Sequence, residues 1–195
     1  MSERLHPLLR FQQSIAMPIA AGAWGLAEAT LFFIVPDVLI TLVSCRSLRS
    51  GLKASGAAVV GALIGGVVMF GLGSQAPDAS RVLLARVPAI HQPLIEHVRL
   101  ELKDRGVAAV LFGPPRGVPY KIYAVEWGAH HGNLPEFLLI SIPARGIRFL
   151  LSSLLAAAAA RLIAPWTRRN PTVEILIWAF FWTGFYALYF YHFGW

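Results

Sequence analysis

Glu28-Ala29-Thr30-Leu31-Phe32-Phe33-Ile34-Val35-Pro36-Asp37 sets two carboxylates and a proline inside an apolar run that extends from Ser14 to Ser44. Proline removes a backbone donor and biases its predecessor away from the helix, so the helix is expected to break near Pro36. Beyond that break only about eight residues precede Arg46, or about 12 Å of helix, which cannot cross a hydrocarbon core of about 30 Å. The economical solution is a hairpin that dips into the membrane and returns to the same side. A second apolar stretch, Gly106–Val125, repeats the theme with Gly113-Pro114-Pro115-Arg116-Gly117-Val118-Pro119-Tyr120-Lys121 in its middle. Its expected breaks are Pro115 and Pro119, because no straight helix survives that density of proline and glycine. Irregular backbone at membrane depth must be buried in protein or line a wet cavity, so both broken segments belong at the centre.

Composition agrees with a membrane address. The chain has 195 residues, 56% hydrophobic and 14% charged, too apolar for a soluble domain and long enough for one bundle of a few spans. The formal charge of +7 sits in short clusters between apolar runs, Arg46/Arg49/Lys53 and Arg161/Arg168/Arg169. That is the pattern of cytoplasmic loops obeying the positive-inside rule, and no nucleic acid is expected as a partner. The single Cys45 excludes an internal disulfide. Arg4 and Arg10 ahead of an apolar run with small residues at Ala21–Ala23 imitate a secretory signal, but the run continues to Leu42, which a cleavable signal would not do.

The remaining apolar stretches read as ordinary spans. Ala54–Leu72 carries no charge, and its Ala57, Gly61 and Gly65 form a small-residue strip for close helix contact, within the bundle or between subunits of a possible homo-oligomer. Phe137–Ala164 is a second span. Val173–Trp195 is a third, whose many aromatics are expected to face lipid or anchor at the interface. Between the broken segments, Pro77–Arg105 has apolar residues recurring at three and four, which predicts an amphipathic helix on the membrane surface or on the bundle. The expected fold is therefore all-α: a polytopic membrane bundle with two opposed re-entrant helical hairpins in a weak inverted repeat, an amphipathic helix and about three full spans. It forms a single membrane domain over 1–195, divided into a cytoplasmic N-terminal segment (1–13), a first hairpin plus span (14–73), the amphipathic connection (74–105), a second hairpin plus span (106–164) and a C-terminal span (173–195).

Ionisable residues at membrane depth are costly and are functional candidates by default. Glu28 and Asp37 flank the first break, Arg116 and Lys121 the second, and Ser141, Arg145, Arg148 and Ser152 share one helical face on the fourth stretch. Guanidinium groups beside helix ends suit a phosphate, so Arg116, Lys121, Arg145 and Arg148 are expected to bind an anionic substrate. Burial disfavours a lone carboxylate's charged form, which suits Glu28 and Asp37 to a proton relay. The competing expectation is that Glu28 and Asp37 neutralise Arg145 and Arg148 as buried pairs that fix packing. His130 and His131 do not share a helix face and have no third ligand nearby, so neither metal nor cofactor is expected. Glu126 and Trp127 are expected to anchor at the interface, and Asn170-Pro171-Thr172 fails as a glycosylation acceptor because proline fills its middle position.

Glu28 with Phe32-Phe33, Pro36 and Asp37, then Pro115-Arg116-Gly117-Val118-Pro119-Tyr120-Lys121, then Arg145-Gly146-Ile147-Arg148-Phe149, together resemble the DedA family, the SNARE-associated or VTT-domain membrane proteins, and its short YqaA-like branch. The resemblance covers residues 20–165. It implies opposed re-entrant hairpins, residence in the bacterial cytoplasmic (inner) membrane, and movement of lipids across the bilayer: undecaprenyl phosphate with proton motive force in bacterial members, phospholipids in eukaryotic relatives. Glu28 and Asp37 match the family's membrane acids, and Arg116 matches the arginine of its Gly-Arg-x-x-Pro-Gly element. Tyr120 stands where that element usually has glycine, and Lys121 only loosely replaces its second arginine, a point charge for a fork. The expected function is thus a proton-coupled flippase for a lipid phosphate or phospholipid, with a cytoplasmic N-terminus. The alternatives are a non-transporting assembly or membrane-homeostasis factor and an intramembrane enzyme on lipid phosphates; the last lacks a nucleophile beside a base, so no enzyme is expected.

Overall fold

The computed structural model describes residues 6–130, 132–167 and 171–194, and among these there are helices and short connections but no strand. In chain order the helices are α1 (His6–Gln13), α2 (Ala16–Ala29), α3 (Asp37–Arg46), α4 (Leu48–Gln75), α5 (Pro77–Leu84), α6 (Gln92–Arg105), α7 (Val107–Phe112), α8 (Tyr120–Ala129), α9 (Leu134–Thr167) and α10 (Pro171–Phe193), with a 3-10 turn at Pro114–Arg116 between α7 and α8. Among the described residues three helices are long and apolar enough to cross a membrane: α4, α9, and α10 over Thr172–His192. His131, Arg168, Arg169 and Asn170 lie outside the described residues, as does Arg4.

Small residues decide how α4 packs. A Cβ on Gly61 would strike the Gly22 carbonyl, one on Gly25 would strike the Ala58 carbonyl, and one on Gly65 would meet Ala29 at 2.7 Å. The Ala57/Gly61/Gly65 strip is therefore spent on a backbone-to-backbone contact with α2. Since Gly22 meets Ala57 and Gly61 while Ala29 meets Gly65, α2 runs parallel to α4. It stops halfway along, and α3 then turns back, its Ser44 against Gly51 at the start of α4.

The second broken segment mirrors this at the other end. Gly66 faces Tyr120, Gly73 faces the Val125 backbone and Gly128 faces the Phe70 carbonyl, so α8 follows α4 from its middle to its far end. Helix α9 closes the centre antiparallel to α4, with Ser55 Oγ 3.1 Å from the Phe149 carbonyl and 2.8 Å from Ser153 Oγ. One apolar cluster forms around α8, including Ile95, Val98, Ile122, Tyr123 and Phe137. Another forms where α2, α3, α4 and α9 meet, including Met17, Ile40, Ala58 and Phe149.

Several expectations need correction. The 77–105 connection is two helices, not one: Pro88 lies between α5 and α6, and proline biases the residue before it away from the helical region. Leu84, Val87, Ile90, Ile95 and Val98 are all buried in the cluster around α8, so the connection packs on the bundle. Arg49 and Lys53 are not in a loop but in the first turns of α4, which starts right after the Ser47 cap. The first break does fall at Pro36 but is wider than one residue: it spans Thr30–Pro36, with Thr30 capping α2 and Pro36 as the N-cap of α3.

Glu126 is not an interfacial anchor. It is fully buried, and Arg81 of α5 grips it with Nε at 2.8 Å and Nη2 at 2.9 Å, fixing the α5 connection onto α8. Trp127 lies against Phe137 in a tilted ring contact, centroids 6.1 Å apart. Pairing raises the Arg81 pKa, a shift led by its hydrogen bonds to Glu126. A raised cationic pKa stabilises below the unfolded-state value and is lost only as pH climbs past the folded one, so the guanidinium itself brings no pH dependence near neutrality. Glu126→Gln, which keeps the shape but removes the charge, is expected to cost about 1–3 kcal/mol, measured as a lowered midpoint of thermal unfolding in detergent.

Candidate functional site

The first break leaves backbone groups that its own turn does not satisfy, and neighbouring helices supply their partners. Trp24 Nε1 donates to the Ile34 carbonyl at 2.9 Å, and the Val35 amide donates to Tyr186 Oη of α10 at 2.8 Å. Lys121, in the first turn of α8, donates from Nζ to the Phe32 carbonyl at 2.7 Å. This last bond joins the two broken segments directly: an ammonium from the second occupies a carbonyl freed by the first. In the second break, Gly117 follows Arg116 at φ 94°, a left-handed conformation that glycine adopts without cost. The backbone can therefore reverse there between Pro115 and Pro119.

The acids and the arginines of α9 form two separate pairs. Glu28, at the end of α2, accepts from Arg145 Nη2; both side chains are buried, and Arg145 is fully so. The guanidinium also lies over the rings of Tyr120 at 5.1 Å and Phe149 at 4.9 Å, while its Nε and Nη1 have no hydrogen-bond partner. Aromatic faces offset part of that desolvation. Asp37, the first residue of α3, accepts from Arg148 Nη2 at 2.9 Å and from Ser152 Oγ at 2.5 Å. Its position at a helix N-terminus further favours a negative charge. Ser141 belongs to a third arrangement, accepting from Tyr120 Oη at 2.8 Å.

A cavity of about 700 Å³ lies where these parts meet. Its lining includes the charged and polar Glu28, Arg116, Lys121, Arg148 and Ser152 and the apolar Phe33, Val87, Ile90, Leu111, Ile147, Leu151 and Leu155. Asp37 and Arg145 do not line it, so the arrangement brings four of the six expected site residues to one space and places the other two behind it. Arg116 lies apart from the buried pairs, with Nη1 3.2 Å from Glu101 of α6.

Helix α10 contributes what a reading of the sequence missed. Trp178 and Trp182 both donate through Nε1 to Thr41 Oγ1, at 3.1 and 3.0 Å, and Phe185, Tyr186 and Tyr189 line the cavity. One face of this helix is therefore turned inward, while Phe180, Leu188 and Tyr191 remain exposed. Spacing of the aromatics at three and four was the available signal, but aromatics lie on every side of this helix and its partners are distant in sequence.

The described residues define an all-helical fold with three helices fit to cross a membrane and a charged centre held between two interrupted segments. No family model and no solved structure matches the chain. An uncharacterized protein of Haemophilus influenzae is 26% identical over 153 residues, which is 78% of this chain and 77% of that protein.

Proposed function

We propose that the chain is a membrane transporter of DedA type that moves a lipid phosphate, or a phospholipid, across the bacterial cytoplasmic membrane with proton coupling. The observation that carries this reading is the cavity: one space lined both by Arg116, Lys121 and Arg148 and by aliphatic and aromatic side chains. Such a lining suits an amphiphile with an anionic head. The helix lengths support re-entrant segments, since α2 at 14 residues and α8 at 10 are each too short for a core of about 30 Å. Their courses along opposite halves of α4 support an inverted repeat. In this reading Arg116, Lys121 and Arg148 hold the head group, Glu28 or Asp37 relays the proton, Arg145 serves as the counter-ion of Glu28, and the N-terminus is cytoplasmic.

One observation favours a second reading. Both acids already have arginine partners, as a non-transporting assembly or homeostasis factor with purely structural pairs would require. Reconstitution into liposomes separates the two, using fluorescent isoprenyl phosphate or phospholipid reporters with and without a pH gradient. A transporter moves the reporter, faster under the gradient, and Arg148→Lys slows it at least tenfold by replacing a fork with a point charge. No gradient-dependent movement of any reporter by the folded wild type would overturn the transport reading.

A further inference from the structure

Arg116 and Arg81 pair with carboxylates in very different ways. Arg81 closes a complete fork on Glu126, with two donors on two oxygens at 2.8 and 2.9 Å. Arg116 gives Glu101 a single donor at 3.2 Å, and its side chain is 56% exposed while lining the cavity. Glu101 is the better-held member: its side chain is 10% exposed, Tyr123 Oη donates to Oε2 at 2.8 Å, and Arg105 Nη1 lies 3.6 Å from Oε1. The carboxylate is thus fixed by α6 and α8, and the arginine is presented on a turn stiffened by Pro114 and Pro115.

We propose that Glu101 is the resting counter-anion of Arg116, a positioning residue that parks the guanidinium at the cavity rim until a phosphate monoester displaces it. This rests on the transport reading above. A one-armed, part-exposed ion pair is weak, whereas a phosphate offers oxygens that a guanidinium can grip with two donors. Exchange of one anion for the other therefore favours the phosphate without leaving Arg116 unpaired at any stage. Glu101 in turn keeps its bond from Tyr123 and its neighbour Arg105 after Arg116 departs, so its charge is not stranded.

Glu101→Gln tests the idea, because the amide oxygen still accepts from Tyr123 while the competing charge is gone. The full chain in an uncharged detergent would be titrated calorimetrically with inorganic phosphate and, separately, with farnesyl monophosphate. Glu101→Gln, Arg116→Gln and the double variant would be compared with wild type. Glu101→Gln is expected to tighten binding about fivefold, the scale of losing an exposed pair as competitor. Arg116→Gln should weaken binding, and the double variant should bind no tighter than Arg116→Gln alone. Tightening for farnesyl monophosphate only would assign the site to a lipid head group; tightening for both would assign it to phosphate in either form. Unchanged or weaker binding by Glu101→Gln, or equal tightening with Arg116 absent, overturns the counter-anion role while leaving the transport reading intact. A wild type that binds neither probe overturns both the counter-anion role and the lipid-phosphate form of the transport reading.

Discussion

Glu28→Leu is expected to destabilise the protein by about 3–5 kcal/mol, because it strands the fully buried Arg145 guanidinium without its carboxylate. Nothing nearby can take over. Nε and Nη1 of Arg145 already lack partners, and the Tyr120 and Phe149 rings offset only part of a full charge. The matching double variant, Glu28→Leu with Arg145→Met, removes both charges at similar volume and is expected to return the unfolding midpoint to within about 1 kcal/mol of wild type. Chemical unfolding in mixed micelles measures both. A single variant as stable as wild type would mean that the pair contributes nothing to the bundle. The folded double variant also carries the functional question: under the transport reading with Glu28 as the relay it no longer couples movement to a proton gradient, whereas with Asp37 as the relay, or in an assembly factor with structural charges, activity is kept.

Gly61→Val is the other large effect. Its Cβ would drive into the Gly22 carbonyl and within 3.0 Å of the Leu26 amide, and neither is the end of a side chain that can swing aside. Helices α2 and α4 must then separate along their whole shared face, at a cost of about 3 kcal/mol or more. The separation also shifts Glu28, two residues beyond Leu26, away from α9. Gly71→Val is the control, since nothing lies within 4 Å of a Cβ there. Limited proteolysis and gel filtration in detergent should show the Gly61 variant cleaved or aggregated and the Gly71 variant indistinguishable from wild type. Equal behaviour of the two would refute the close α2–α4 contact.

Much of the helical layout can be read from the sequence because it follows from local rules. Three long apolar runs give three helices fit to cross a membrane, and Pro36, Pro115 and Pro119 mark where the other apolar runs are interrupted. What local rules do not supply is pairing. That Arg145 meets Glu28 while Arg148 meets Asp37 depends on the rotation of α9 in the bundle, which contacts with α4 such as Ser55 with Ser153, 98 residues apart, help to set. Glu126 reads as a residue leaving the membrane until Arg81 is brought to it from 45 residues away. The split of 77–105 was signalled by Pro88, but the surrounding three-and-four spacing of apolar residues is just as compatible with one continuous helix. The inward face of α10 is invisible to periodicity because that helix is aromatic all round.

Three of the chain's 6 tryptophans, Trp24, Trp178 and Trp182, have their indole N–H groups bonded around a single short stretch, the first break and the helix that follows it. Indole emission shifts with the polarity and hydrogen bonding of its surroundings, so half of this molecule's indoles report on that stretch. The protein thus carries its own optical gauge of whether the first interrupted segment moves, with no label to attach.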